Sequence, residues 1–293
     1  MIESVHAALP HGISLHCRVA GPKNAPALMF LHGFPEAAFV WDELLAHFAD
    51  RYRCIAPNLR GFEQSSAPLD VQAYRAKHLM ADVLALIQQQ VGEPLEALVA
   101  HDWGGAVAWN LAAQHPEALK RLLIINSPHP ATFLRELQTS SAQQAASAYM
   151  NFLCRPDAEA LLSENDFARL WPFLSGGGAA GWLTEAVKDQ YRAVWRAGLT
   201  GALNYYRASP LRPPTAPDSP VMGMSFKPEF VTVRVPTHVV WAEADLALPS
   251  SLLEGLEAFV PGMTLTRVPA ATHWIVHEHP QRVAREIEFA LAR

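Results

Sequence analysis

Leu98-Val99-Ala100-His101-Asp102-Trp103-Gly104-Gly105-Ala106-Val107-Ala108-Trp109 is the stretch whose reading decides the fold. An apolar run stops at a polar residue, two glycines follow, and a second apolar run of helical character takes over. That is the pattern of a strand, a cramped turn and a helix. Ala100 and Gly104 are the small residues of a small-x-nucleophile-x-small motif whose centre is Asp102. Such a turn strains the central residue, exposes its side chain and sets the first amides of the helix beneath it. A carboxylate there suits attack on a saturated electrophilic carbon and leaves an ester that water must cleave. An aspartate before a glycine-rich helix start is also a good N-cap, so the segment by itself leaves both readings open.

Outward from this turn, the 293-residue chain is 50% hydrophobic, enough for one large domain or a domain carrying an insertion. Cys17, Cys54 and Cys154 are odd in number, far apart and without metal-type spacing, and read as thiols in a reducing compartment. The start Met1-Ile2-Glu3-Ser4-Val5-His6 lacks the basic and apolar regions of a signal peptide, and no stretch reaches membrane-spanning length. The expectation is a soluble, cytoplasmic protein. A net charge of −5 offers no basic footprint for nucleic acid or anionic lipid, which points to a small, weakly polar partner.

Strand-like runs recur at Ala27–Leu31, Arg53–Pro57, Ala97–Ala100, Arg121–Asn126, His238–Trp241 and Thr264–Val268. Their alternation with helical stretches predicts an α/β fold with a mainly parallel sheet flanked by helices. Met80, Leu84, Ile87 and Val91 share one helical face, and Val283, Ile287 and Leu291 repeat the pattern opposite Arg282, Arg285 and Glu286. After Pro128 the alternation stops. A helical and loop-like stretch with Gly176-Gly177-Gly178 in its middle ends in the proline-rich strap 212–220. The predicted organisation is a core over 1–129, an inserted helical cap over 130–228 and the rest of the core over 229–293.

Two more polar residues fall where the partners of a nucleophile are needed. Asp245 lies just beyond the run Val239–Glu243, and His273 follows the last strand in Pro269-Ala270-Ala271-Thr272-His273-Trp274. Nucleophile, acid and base then occur in the order Asp102, Asp245, His273, each after the carboxyl end of a strand, where open α/β sheets place their sites. His273 can take a proton from water while Asp245 fixes its tautomer. Singly, His273 is one of 13 histidines and Asp245 could cap the helix at Ser250 or end a strand. Leu31-His32-Gly33-Phe34-Pro35-Glu36 follows the first of the six runs, so the Phe34 amide can join the Trp103 amide at one oxyanion. A tight Gly-Pro turn is the plain reading of the same residues, and Glu36 is assigned to a helix N-terminus.

At this point the residues resemble the epoxide hydrolases of the α/β-hydrolase fold, across nearly the whole chain. His32-Gly33-Phe34-Pro35 looks like their HGxP oxyanion motif, and Asn58–Ser66 resembles the loop after the next core strand. His101-Asp102-Trp103-Gly104-Gly105 is similar to their nucleophile motif, Trp241–Asp245 to the acid loop and His273-Trp274 to the base. The resemblance implies two cap tyrosines whose hydroxyls point at the epoxide oxygen. Tyr206 in Gly201–Arg207 stands at the matching place for one, and Tyr149, seven residues before Pro156, for the other. It further implies an epoxide and water as the reactants, with Phe34, Trp103, Tyr149 and Tyr206 in contact with substrate, and no metal or organic cofactor. Detoxification, catabolism of an alkene-derived epoxide and signalling by hydrolysis of an epoxy lipid all fit such an activity.

A haloalkane dehalogenase shares the Asp nucleophile and the following Trp, but Phe34 stands where many of those enzymes carry a halide-binding Asn. A fluoroacetate dehalogenase places Arg where this chain has Trp103. A non-catalytic receptor would have no chemical need for nucleophile, acid, base and oxyanion groups together. Phe152, Trp171, Trp182 and Met222 are candidate pocket residues from the cap. Substrate identity, enantiomer preference and oligomeric state are outside what the residues specify.

Overall fold

In the computed structural model, which describes residues 1–176 and 180–293, each of the six apolar runs forms a strand. Gly177 and Gly178 of the glycine run lie outside the described residues. The strands are β3 (Ala27–Leu31), β4 (Arg53–Pro57), β5 (Ala97–His101), β6 (Leu122–Ile125), β7 (Thr237–Ala242) and β8 (Thr264–Val268). Two earlier strands, β1 (Glu3–Ala8) and β2 (Ser14–Ala20), were not anticipated by the periodicity. They complete an eight-stranded sheet of order β1-β2-β4-β3-β5-β6-β7-β8. β2 runs antiparallel to both β1 and β4, and the pairings from β4 to β8 are parallel.

Period-two alternation divides the buried strand side chains between two layers. Leu28, Phe30, Val99, Ile125 and Val240 pack against α1 (Asp42–Phe48) and α12 (Pro280–Leu291). Met29, Leu31, Leu98, Ala100, Ile124 and Val239 pack on the other face with α2 (Ala76–Gln90) and α3 (Asp102–Gln114). Each fully buried Leu or Phe side chain contributes about 1.5–3 kcal/mol, so these layers dominate the stability. In α12, Val283 and Ile287 face inward as expected, but Glu286 does too. Its carboxylate is taken up by His238 Nε2 at 2.9 Å, by the Thr266 hydroxyl at 2.8 Å and by Arg282 Nε at 2.6 Å, which makes burial tolerable.

Between β6 and β7 the described residues contain helices and irregular chain and no strand. The helices are α4 (Pro130–Thr139), α5 (Ser141–Ala146), α6 (Ala148–Leu153), α7 (Ala158–Phe167), α8 (Trp171–Ser175), α9 (Glu185–Ala197) and α10 (Thr200–Ala208). α11 (Ile275–Glu278) follows the last strand. Among the described residues no helix is long and apolar enough to cross a membrane.

The chain leaves β3 toward β4 on one side and leaves β5 toward β6 on the other. The loops after β3 and β5 therefore part at a switch point, and the crevice between them is where the site lies.

Candidate active site

Asp102 sits at the junction of β5 and α3 with φ +49°, a left-handed conformation that a non-glycine residue adopts only where its surroundings hold it. The glycines around it are set by space. A Cβ on Gly104 would come within 2.4 Å of the Leu31 carbonyl, and one on Gly105 within 2.3 Å of Ser127 Cβ. A Cβ on Gly33 would stand 2.1 Å from Asp102 Oδ1. These contacts bring the loop after β3 against the turn after β5.

The closeness has a chemical result. The Phe34 amide donates to Asp102 Oδ1 at 2.7 Å, while Oδ2 lies 3.7 Å from His273 Nε2. One oxygen of the carboxylate is thus held by the loop and the other faces the base. The Trp103 amide belongs to the first turn of α3, where backbone N–H groups have no acceptor within the helix. The Ser127 hydroxyl donates to the Asp102 carbonyl at 2.7 Å and steadies the turn from below.

His273 Nδ1 donates to Asp245 Oδ2 at 2.6 Å. Asp245 is fully occupied: Oδ2 also accepts from Asn126 Nδ2 at 2.8 Å, and Oδ1 accepts from the amides of Ala247 and Leu248 at 2.8 and 3.1 Å. Burial opposes the charge of Asp245, but His273, Asn126 and the Ala247 amide outweigh it and keep the carboxyl below its ordinary range. Burial likewise pushes His273 down, yet the Asp245 carboxylate, with Asp102 and Glu36 beyond it, holds the imidazole up at about 9. Asn126, not singled out from the sequence, also grips β7 by accepting from the Ala242 amide at 2.7 Å. Its one sequence signal is its place at the polar end of a strand run.

The two tyrosines share one cavity with the carboxylate. Tyr206 on α10 packs edge-on to Trp103 and Phe34, with ring centroids 5.0 and 5.2 Å apart, and Tyr149 on α6 lies 6.1 Å from Tyr206. Burial raises both phenols well above the ordinary tyrosine value, and the Asp102 carboxylate adds to the effect. Both therefore remain protonated hydrogen-bond donors. With Asp102 and Trp103 they line a cavity of about 500 Å³ whose other walls include Phe133, Met150, Tyr205 and Leu211. Phe152, Trp171, Trp182 and Met222 do not line it. Trp182 stacks on His277, Trp171 packs on Trp195, Phe152 lies under Arg155 and Met222 is exposed at the surface. Phe152 and Trp171 are turned away by their short helices, while Trp182 lies in the turn before α9 and Met222 in a 3-10 turn, placements that periodicity does not report.

Glu36 also departs from its assignment. It caps no helix; it is buried, with His101 Nδ1 3.2 Å from Oε2 and the Tyr191 hydroxyl donating to Oε1 at 3.0 Å. His277 Nε2 lies 3.1 Å from the same Oε1. Burial works against the charge, but hydrogen bonds from His101 and His277 hold the carboxyl far below its usual range. His101 Nε2 in turn donates to the His273 carbonyl at 2.9 Å.

Two further buried histidines are fixed as neutral tautomers. His32 Nε2 accepts from the Leu59 amide at 3.0 Å while its Nδ1 donates to the Gly33 carbonyl at 2.9 Å. His129 Nδ1 accepts from the Ala131 amide and its Nε2 donates to the Val231 carbonyl. Burial pulls each from 6.5 down to about 4. Folded-state values below the unfolded one mean that acid favours unfolding: the loss begins as pH falls below the ordinary histidine value and is complete below the folded one. Together the pair are expected to remove roughly 4 kcal/mol of stability by about pH 5. Urea midpoints at neutral pH and at about pH 5 check this, and equal midpoints would contradict it.

With this geometry in view, the comparisons are concordant. The alpha/beta hydrolase fold family matches residues 26–280. An AB hydrolase superfamily protein of Bacillus subtilis, YfhM, is 35% identical over 92% of this chain and 91% of its own length. Epoxide hydrolase 3 of Xenopus tropicalis is 31% identical over 94% of this chain and 74% of its own. Among solved structures, a metagenomic epoxide hydrolase from hot environments superposes with a TM-score of 0.88 at 38% identity, covering 99% of both chains. The Bacillus megaterium epoxide hydrolase in complex with an inhibitor gives 0.90 at 28% identity, covering 99% of this chain and 100% of its own. The family match over residues 26–280 and the relatives above 30% identity decide the assignment: the chain belongs to the α/β-hydrolase family and, within it, to the epoxide hydrolases.

Proposed function

We propose that the protein hydrolyses small to medium apolar epoxides to vicinal diols through a covalent ester on Asp102. The observation that carries this reading is the split environment of that carboxylate, one oxygen bound by the Phe34 amide and the other 3.7 Å from His273 Nε2, in an apolar cavity that two protonated tyrosines also line. Residues 1–129 and 229–293 act as the hydrolase core and 130–228 as the cap. Cys17, Cys54 and Cys154 are free thiols, which suits a reducing, cytoplasmic setting.

In the first step Asp102 Oδ2 attacks an epoxide carbon. The carbon–oxygen bond breaks, its electron pair stays on oxygen, and that oxygen takes a proton from Tyr206 or Tyr149. The product is a hydroxyalkyl ester and a tyrosinate. In the second step water attacks the ester carbonyl carbon as His273 Nε2 takes its proton, and the oxyanion gathers at the Phe34 and Trp103 amides. Two such donors are worth about 10² to 10³ in rate each. Collapse expels the alkoxide, which takes the proton from His273 and leaves as the diol. The proton of the re-formed Asp102 carboxyl returns the tyrosinate to phenol. The cycle consumes one water.

A single turnover in ¹⁸O water tests the sequence of bonds. The oxygen that leaves with the diol comes from Asp102 and the oxygen that stays comes from water. The label is therefore expected in a peptide containing Asp102 and not in the first diol. Label in the diol would exclude the ester.

A further inference from the structure

Four contacts join the α8–α9 part of the chain to the loops that carry the oxyanion donor and the base. Trp195 Nε1 donates to the Pro35 carbonyl at 2.8 Å, and Trp274 Nε1 donates to the Phe173 carbonyl at 2.8 Å. The Trp182 indole stacks on the His277 imidazole with centroids 4.2 Å apart and planes 4° from parallel. The Tyr191 hydroxyl, fully buried on α9, reaches Glu36 Oε1 at 3.0 Å. The last of these leads on to the base through side chains that make no contact with Asp102. Glu36 faces His101, and His101 donates to the main-chain carbonyl of His273, with the two imidazole rings 4.6 Å apart.

We propose that Tyr191 is a positioning residue for the second half of the reaction: through Glu36 and His101 it sets the backbone of the general base, so that the α8–α9 part of the cap serves hydrolysis of the ester. The α6 and α10 part, which carries Tyr149 and Tyr206, serves ring opening. The physical basis is directional. A carboxylate with donors on both oxygens cannot rotate without losing one of them. Oε1 is fixed by Tyr191 and His277, which leaves Oε2 aimed at His101. Without the hydroxyl, Oε1 keeps His277 alone, a side chain that also loses its contact to Tyr191 oxygen at 2.8 Å. Glu36 can then turn, and the His101–His273 bond loosens. The nucleophile is less affected, because the groups that hold Asp102 are the main-chain amide of Phe34 and the Ser127 hydroxyl and not the side chains of Tyr191, Glu36 or His101.

The inference rests on the two-step reaction proposed above and is tested by separating the steps. Tyr191→Phe keeps the ring and removes the hydroxyl. With racemic styrene oxide as probe, quenched-flow mass spectrometry of the intact protein reads the rise and decay of the ester. Ester formation is expected within about twofold of the wild-type rate, and decay about tenfold slower, the loss expected for one hydrogen bond to a buried charge. In the steady state kcat and KM then fall together while kcat/KM holds. Glu36→Gln, which keeps the shape of the side chain and removes its charge, is expected to show the same split and answers the question if Tyr191→Phe does not fold. Equal slowing of both steps, or an unchanged decay in both variants, would overturn the assignment. If the wild type forms neither ester nor diol, the reaction itself is at fault and not the positioning.

Discussion

Diol formation is expected to vanish in Asp102→Asn, by about 10⁴-fold or more, as for other enzymes that lose their nucleophile. An amide oxygen has no charge to place on the epoxide carbon, so no ester forms and the ester-cleaving groups have nothing to act on. The substitution is a clean one for the fold. Asparagine has the volume of aspartate, its oxygen still accepts from the Phe34 amide, and the left-handed turn at φ +49° is one that asparagine tolerates. A thermal midpoint close to wild type is therefore expected beside the lost activity. The measurement follows diol and halide together, with epoxides and matched haloalkanes as substrates. Diol lost with the variant establishes Asp102 as the nucleophile. Halide release without diol in the wild type would move the protein to dehalogenase chemistry, and diol formation undiminished in the variant would leave the carboxylate as a mere helix cap.

His273→Gln is expected to stop the reaction half way. Ring opening does not need the imidazole, so one equivalent of epoxide is consumed and the ester persists, with its decay slowed by about 10² to 10⁴-fold. The intact-protein mass should rise by that of the substrate and stay there. The pH dependence of the wild type follows from the charges around the base. In the free enzyme His273 is held at about 9 by Asp245, with Asp102 and Glu36 adding to it against burial. Forming the ester removes the charge of Asp102, one of the charges that raise the imidazole, so its value falls and the ring gives up its proton more readily when a base is needed. Ester decay is accordingly expected to increase with pH through a value under 9 and to fade on acidification, since only the neutral ring can accept the water proton. A decay rate flat from about pH 5 to pH 9 would remove His273 from that role. The same raised value affects folding in the opposite direction from His32 and His129. The contribution of His273 is complete below the ordinary histidine value and is lost as pH rises through about 9. Stability is thus greatest near neutrality.

What the residues by themselves determined was everything local. Strand, turn and helix at Leu98–Trp109 are legible because the apolar period changes there and two glycines mark the turn. Five of the six core runs are legible because strands buried on both faces are nearly continuous in apolar residues, while the half-buried edge strand Thr264–Val268 mixes polar and apolar residues. The hairpin of β1 and β2 escaped because it lies at the sheet edge, where exposed positions in β1 dilute the pattern. The order of Asp102, Asp245 and His273 was visible, since each follows a strand. That they meet was a matter of the sheet: β7 and β8 lie beyond β6, and only parallel pairing brings their carboxyl ends to the edge that β5 occupies. The cap shows the limit most clearly. Tyr206 and Tyr149 were chosen by resemblance, whereas the directions of Phe152, Trp171, Trp182 and Met222 depended on how the short helices and turns of this stretch pack. Glu36 is the sharpest case. Nothing in His32–Glu36 tells that its carboxylate will be buried, because its partners His101, Tyr191 and His277 stand 65, 155 and 241 residues away. Sequence periodicity carries information over one turn of helix or one strand, and a buried charge is decided by donors that only the folded chain assembles.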